Sequence, residues 1–444
     1  MNAEHWGRRL AELADKYGVP GAAFGVLRLT DSASPQDDER IEVAHGVLST
    51  ATGVRATPDS LFQIASLTKS WTATAAAWLA DSGALDLDRP IADLLPGLPL
   101  GDLTPRQLLS HTSGLEGDVY FDTGPGDDCL ARYAARLGEI PRLHRPGELW
   151  SYSNAGYVLA GRVIEAVTGL VWEEAMRELL FRPLGLTRTV VSAAEAVLHR
   201  VAVGHRPGPD GLVAPVAAWR PGRFCGPGGG IACSVGDLLS FARLHLTGGL
   251  IGNGRRILGE ASVEDMRTRR ADLPGGRLNT AGWGTGLMVD EWEGHPVAGH
   301  NGEIAGQSAL FWLCPEQGLA VALLCNAASL GAEVLADRMM REAFETFAGI
   351  AMPAAPAPPA RPWRGNGAPT GLYERYGSRL EVVSGAQGPA LRREGEDWEL
   401  VPVDDGLFLT RPAAGSGWLP VTFLNLGGTR FLHLGGRAHR AVAT

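Results

Sequence analysis

The sequence predicts a mixed α/β (α+β) body with a helical insertion, followed by a separate all-β module. Three observations carry this. Strand-like apolar runs occur near residues 20–50 and again at 283–325, and helical periodicity fills the interval between them. A proline/alanine stretch at 351–363 then gives way to short segments divided by Gly, Asp and Pro turns. The expected units are a large body at 1–350, a semi-rigid linker at 351–363 and a β module at 364–444.

Taken in order, Leu10, Leu13 and Ala14 recur at helical spacing, and Gly18 and Pro20 stop that helix. GAAFGVLRL and IEVAHGVLS read as two strands joined by a polar loop around Asp31 to Glu39. An alanine-rich stretch from Ser66 to Ala80, with Trp71, Ala75, Trp78 and Leu79, reads as a buried helix ended at Gly83. Helical segments follow near 105–111, 127–138, 155–168, 171–181 and 234–246. Strands return at 283–290, 295–299, 307–313 and 319–325, before a helix over 330–348. Five prolines and five alanines make up most of AMPAAPAPPARPW. Beyond it, strands are expected at 379–383, 397–401, 406–410, 417–424 and 429–434.

The 444 residues are 45% hydrophobic and 20% charged, an ordinary globular composition that excludes disorder throughout and a small disulfide scaffold. A net charge of −9 argues against nucleic acid as a partner, because phosphate binding needs clustered cations. No apolar run is long enough for a membrane span. The amino terminus lacks the apolar core of a secretory signal, so the chain reads as cytoplasmic. Five cysteines without a C-x-x-C pair read as reduced, mostly buried thiols. There is no G-x-S-x-G elbow, P-loop or H-E-x-x-H. His295 and His300 are five apart with no third ligand nearby, so neither a metal nor an organic cofactor is expected.

Of the 40 basic residues only Lys16 and Lys69 are lysine. Arginine keeps its proton in proteins, whereas a buried lysine can lose it, so each lysine is a candidate for proton chemistry. Lys16, in a polar helix beside Asp15, reads as a solvated charge. Lys69 falls in Ser66-Leu67-Thr68-Lys69, one helical turn after a serine at a helix start. The first-turn N–H groups and the helix dipole favour an anion at Ser66 and disfavour an ammonium at Lys69. Bringing a lysine from about 10.4 to near 7 takes roughly 4 to 5 kcal/mol, which burial supplies. A neutral Lys69 then takes the Ser66 proton as the oxygen attacks a carbonyl. S-x-x-K alone is weak, since a serine stands three before a lysine about one time in fifteen.

Tyr152-Ser153-Asn154 is the only Y-x-N in the chain and lies before a strongly helical segment. A phenol near a lysine ammonium has its phenolate stabilised and can relay a proton, and an Asn side chain offers a donor and an acceptor to a substrate amide. Asn154 also fits a helix N-cap. His300-Asn301-Gly302 lies between two strand-like segments; His433-Leu434-Gly435 repeats H-x-G in the β module, so only its place relative to the other motifs distinguishes it.

The ordered set S-x-x-K, Y-x-N, H-x-G, with LLSHTSGL at 108–115 and GPGGGIACSVGDLLSFA at 226–242, resembles the penicillin-recognising serine enzymes. Within them it is similar to the class C β-lactamase, D-aminopeptidase and esterase group (peptidase S12-like), over about residues 15 to 348. That resemblance implies a mainly antiparallel sheet flanked by helices, an all-helical lobe and a site between them. The trailing module resembles the lipocalin-like β-barrels attached to some members. It further implies Ser66 as the acylated nucleophile, Lys69 as its base, and Tyr152 as second base and leaving-group acid. Asn154 would bind the substrate amide carbonyl, and His300 and Gly302 would lie on the strand beside the site. The Ser66 N–H and one near Glu303 would form the oxyanion hole. Many penicillin-binding members have lysine where this chain has His300; a mostly neutral histidine disfavours β-lactamase or carboxypeptidase activity and favours aminopeptidase, esterase or thioesterase-like chemistry. Glu303 would meet a substrate ammonium or point to solvent.

The leading expectation is a serine hydrolase acting through an acyl-enzyme on an amide or ester of a peptide-like substrate. A rival shares the first half-reaction but passes the acyl group of a carrier-bound peptide to an amine, as an acyltransferase or cyclising thioesterase. A third is a binding protein that keeps the fold without catalysis.

Overall fold

A computed structural model of the chain describes residues 2–30, 37–208, 213–219, 222–252, 254–276, 280–361, 363–364, 367–385, 388–412 and 417–442. The core of the body is an eight-stranded antiparallel sheet. Its strands are β1 (Gly21–Arg28), β2 (Glu39–Gly46), β3 (Ala271–Asp272), β4 (Gly282–Trp283), β5 (Met288–Trp292), β6 (His295–Ile304), β7 (Gln307–Cys314) and β8 (Leu319–Cys325). They lie in the order β2-β1-β8-β7-β6-β5-β4-β3. The amino-terminal strands therefore complete a sheet built mostly from the far end of the body. Residues 31–36, most of the predicted polar loop between β1 and β2, lie outside the described residues.

One face of the sheet carries α1 (Ala3–Tyr17) and a long helix at Leu330–Ala348. Trp6, Leu10, Leu13 and Ala14 bury the apolar stripe of α1, and Gly18 ends it in the left-handed region at φ 66°. The inner face carries α2 (Thr68–Asp81) and the helix at Val235–Leu246, α6 below. The lobe between is formed by α3 (Pro105–Leu109), α4 (Cys129–Leu137) and α5 (Asn154–Thr168), ahead of α6 (Val235–Leu246) and α7 (Leu330–Ala348). Every residue of α2 from Thr68 to Ala77 is buried, which is why its sequence shows no polar stripe.

Two differences from the sequence reading bear on the site. The expected strand at 283–290 is two strands, because the chain turns at Gly286, at φ +82°, against α2; a Cβ there would lie 2.2 Å from the Ala73 methyl. The strand at 295–299 instead runs through His300–Gly302 to Ile304, so the H-x-G motif is part of β6.

Linker residues 351–361 have no regular secondary structure, and Arg341 of α7 fixes their start by donating to the carbonyls of Met352 and Pro353 at 2.7 and 2.6 Å. The β module is a nearly closed nine-stranded antiparallel barrel: β9 (Gly371–Arg375), β10 (Ser378–Gly385), β11 (Gly388–Arg393), β12 (Glu396–Glu399), β13 (Val401–Asp404), β14 (Leu407–Thr410), β15 (Leu419–Leu426), β16 (Thr429–Leu434) and β17 (Arg437–Ala441). The order is β12-β11-β10-β9-β17-β16-β15-β14-β13, so its two edge strands are joined through the single residue Leu400. Four of these strands were not expected: β13, because the strand read at 397–401 is broken at Leu400, and three others. Strands β9, β11 and β17 (GLYER, GPALRR, RAHRA) are short and lack clear apolar alternation, the last two being rich in arginine.

The barrel packs on the helical lobe through its β16–β17 hairpin. Phe431 and Ala438 cluster with Leu143 and Leu149. The Tyr152 N–H donates to the Gly436 carbonyl at 2.9 Å, and the Ala438 N–H donates to Ser151 Oγ at 3.1 Å.

Candidate active site

Ser66 sits in a 3-10 turn, Ala65–Leu67, that leads directly into α2. Ala65 adopts φ +48°, a region costly for a residue with a Cβ, and the turn leaves Ser66 as the accessible position among buried neighbours. One turn later Lys69 is fully buried. Its Nζ lies 3.0 Å from Ser66 Oγ and donates to the Gly228 carbonyl at 2.6 Å. Burial, reinforced by the Arg437 cation, pushes Lys69 down to about 7. The helical-turn pairing read from S-x-x-K is thus present, and the amine is poised at the pH where it exchanges its proton.

Tyr152 comes from the segment leading into α5, whose N-cap is Ser153 rather than Asn154; the Ser153 hydroxyl accepts from the Gly156 N–H at 2.9 Å. The Tyr152 phenol lies by Ser66, which favours its ionised form, and its ring centroid is 5.0 Å from Lys69 Nζ. Proximity to Lys69 was expected to stabilise the phenolate. Instead burial raises the phenol above its ordinary value, outweighing nearby Ser66 and the Arg437 cation. The resting group is therefore a protonated phenol, a proton donor beside an amine that burial makes easier to deprotonate.

His300 and Gly302 lie on β6 facing the nucleophile. A Cβ on Gly302 would sit 2.2 Å from the Ile64 carbonyl oxygen and 2.9 Å from the Ser66 nitrogen, so glycine is required for β6 to pass this close to the turn. His300 is buried, its Nδ1 lies 2.5 Å from the Asn301 carbonyl, and burial together with nearby Lys69 pushes it down to about 3. It is neutral, as expected. His295, at the start of β6, instead faces Glu316 at 3.1 Å, so the two imidazoles do not converge. Glu303 is exposed and pairs with Arg206 at 3.8 Å. Asn154 Nδ2 donates to Asp118 Oδ1 at 2.8 Å and to the Tyr120 hydroxyl at 3.3 Å. Its amide N–H groups are thus engaged within the protein rather than presented to a substrate carbonyl.

Residues that the sequence reading did not assign complete the site. Arg437, from the barrel, lies with its Cζ 4.5 Å from the Tyr152 ring centroid and pairs with Asp118 at 2.9 Å. Arg375 of the barrel also reaches Asp118, at 3.2 Å. Burial would raise Asp118, but Arg437 and Arg375 outweigh it and hold the carboxylate ionised. His111, inside LLSHTSGL, accepts the Ser153 N–H on Nδ1 at 2.9 Å while its carbonyl accepts the Ser151 N–H at 3.0 Å. Its ring lies 4.2 Å from that of Tyr152, and burial keeps it neutral. The motifs containing His111 and Gly228 were visible in the sequence; nothing in it links Arg437 to the site.

Two cavities meet at Ser66. One, about 640 Å³, includes Tyr152, Trp283, Gly302 and Gly436 in its lining. The other, about 510 Å³, includes Asp118, Tyr120, Asn154 and Phe224. Glu303 and Arg437 line both. These sizes suit small-molecule or peptide-like ligands.

Comparison with known proteins gives the family of the chain. The Beta-lactamase family model matches residues 6–344. The chain is 39% identical over 383 residues to "Penicillin-binding protein 4" of Amycolatopsis lactamdurans, covering 84% of this chain and 98% of that protein. The solved structure of SurE superposes with a TM-score of 0.82 at 30% identity, covering 99% of each chain, and SurE with D-Leu does so at 0.79. A D-amino acid amidase from Ochrobactrum anthropi, complexed with L-phenylalanine, gives 0.64 at 26% identity over 76% of this chain and 99% of that one. The chain belongs to the β-lactamase family and is a serine hydrolase of that superfamily.

Proposed function

We propose that the protein cleaves amide or ester bonds of peptide-like substrates, of the D-amino-acid type, through an acyl-Ser66 intermediate. The observation that carries this is the 3.0 Å approach of a buried Lys69 amine to Ser66 Oγ. The D-amino acid amidase and the SurE structure with D-Leu support the substrate class.

Neutral Lys69 takes the Ser66 proton as Oγ forms a bond to the substrate carbonyl carbon. The bond to Gly228 occupies one of its N–H groups, leaving its lone pair to Ser66. The oxyanion falls to the Ser66 N–H and an N–H of the β6 edge near Glu303. As the tetrahedral species collapses, the carbon–leaving-group bond breaks and the Tyr152 phenol gives its proton to the departing atom. Arg437 lowers the cost of the phenolate for that moment, and the Lys69 ammonium then returns a proton to Tyr152. In the second half, the acceptor attacks the acyl carbon and loses its proton to neutral Lys69; as the carbon–Ser66 bond breaks, the Lys69 ammonium returns that proton to Ser66 Oγ. Asn154, fixed by Asp118, presents Oδ1 to a substrate N–H.

A second reading, transfer of the acyl group of a carrier-bound peptide to an amine, draws on the exposed Glu303 carboxylate at the junction of both cavities, where an amine-bearing acceptor can be held. Intact-mass measurement against a panel of D- and L-peptidyl esters and thioesters tests the first step. An acyl adduct on the wild type and none on Ser66→Ala is expected; no adduct with any member overturns the proposal. Cyclic or amide product assigns the second reading, and linear acid alone the first.

A further inference from the structure

Strand β5 pairs with β6 only from His295 to Gly299. Among the described residues nothing pairs with that side of β6 beyond Gly299, so His300–Ile304 form a free edge beside Ser66. The 640 Å³ cavity crosses this edge: it is lined by Ser66 and Tyr152, by Asn301–Glu303, and then by Leu310 and Leu323. Asn301, Leu310 and Leu323 are register neighbours across β6, β7 and β8, which places the far arm of the cavity on the sheet face that packs against α7. Ala336 of α7, Met352 of the linker and Leu419 of the barrel also line it. Leu310, Ala336 and Met352 are only partly buried although they pack on the apolar core of that face. They offer apolar surface to whatever fills the arm.

We infer that this arm is a leaving-group subsite for an extended apolar chain on the alcohol, thiol or amine that Ser66 displaces. The inference rests on the proposed roles of Ser66 and Tyr152: Tyr152 lines this cavity and not the 510 Å³ one, so the atom it protonates departs on this side. The carboxylates of Glu333 and Asp337, the latter paired with Arg341, stand in the same lining, so the chain that fits carries no terminal anion. Each methylene removed from water multiplies affinity by about fourfold at most.

The test takes the acyl group that loads Ser66 best and attaches it to methanol, butanol, hexanol and octanol in turn. Wild-type kcat/KM is expected to rise at least tenfold from the methyl to the octyl ester. Ala336→Trp and Met352→Trp fill the arm from two different segments, and either one, where folded, is expected to flatten the series while leaving methyl-ester turnover within twofold. A smaller rise in the wild type, or a slope kept in both variants, overturns the subsite. Turnover of the same esters by Ser66→Ala at the wild-type rate instead overturns the role of Ser66, so the two failures are distinguishable.

Discussion

The Arg437 guanidinium of the barrel lies 4.5 Å from the ring centroid of Tyr152, in the body of the enzyme, and is locked there by Asp118. A module that the sequence sets apart by a proline-rich linker thus supplies a cation in direct contact with the proposed acid. The strand beside the site carries a neutral His300, and the nearby permanent charge comes from elsewhere.

Arg437 holds Lys69 down and favours the phenolate of Tyr152. Arg437→Gln is therefore expected to raise both groups, moving the acid limb of the kcat/KM–pH profile upward. Turnover should fall by less than the roughly hundred- to ten-thousandfold typical of losing a general acid or base outright. An unchanged profile in folded Arg437→Gln would refute the coupling.

The folded state releases the Lys69 proton near pH 7, whereas the unfolded chain holds it to about 10.5. Between these values the unfolded state binds more protons, so this group makes stability rise with pH across that window and lowers stability below it. Lys69→Met removes the penalty. It is expected to stabilise the protein at pH 6 by up to about 4 kcal/mol, allowing for the lost hydrogen bonds, with the gain fading as pH approaches 10.5. Denaturant titrations at pH 6 and pH 10 measure the difference, and acyl-enzyme formation should be lost at both.

Gly302→Ala forces a methyl to within 2.2 Å of the Ile64 carbonyl. The strand must retreat from the Ser66 turn, at a cost of about 1 to 3 kcal/mol. Labelling of Ser66 by a fluorophosphonate is expected to slow in step. Rapid labelling with wild-type stability would show that the strand does not set the geometry at Ser66.

His111 grips the backbone on both sides of Tyr152 and adopts φ +59°. Asparagine tolerates that conformation and places an oxygen where Nδ1 now accepts the Ser153 N–H. His111→Asn should keep most activity. His111→Leu leaves the buried N–H unpaired, costing about 1 to 3 kcal/mol, and should lower kcat with little change in KM. Equal kcat values for the two variants would contradict a positioning role.

The parts of the site legible in the sequence are those whose partners are close along the chain. Ser66 and Lys69 share one helical turn, so their spacing alone places them together, and the burial that lowers Lys69 is foreshadowed by the apolar neighbours of α2. Tyr152 and His300 needed the ordered motif set. Asp118, Arg375 and Arg437 form an ion-pair network between modules, and such pairs leave no periodic trace. The direction of the Tyr152 shift was also hidden, because a neighbouring cation is visible in sequence while the depth of burial is not. In the barrel, β10, β14, β15 and β16 were legible and the arginine-rich β11 and β17 were not, although β17 carries Arg437.

The placement of Arg437 on β17 has a consequence for how the molecule comes into being. Nucleophile and base are synthesised early, but their charged neighbour emerges from the ribosome only after the whole body and nearly all of the barrel have been made. A nascent chain carrying a completed Ser66–Lys69 pair therefore has the burial that chiefly lowers Lys69, but lacks the Arg437 cation until β17 joins the barrel.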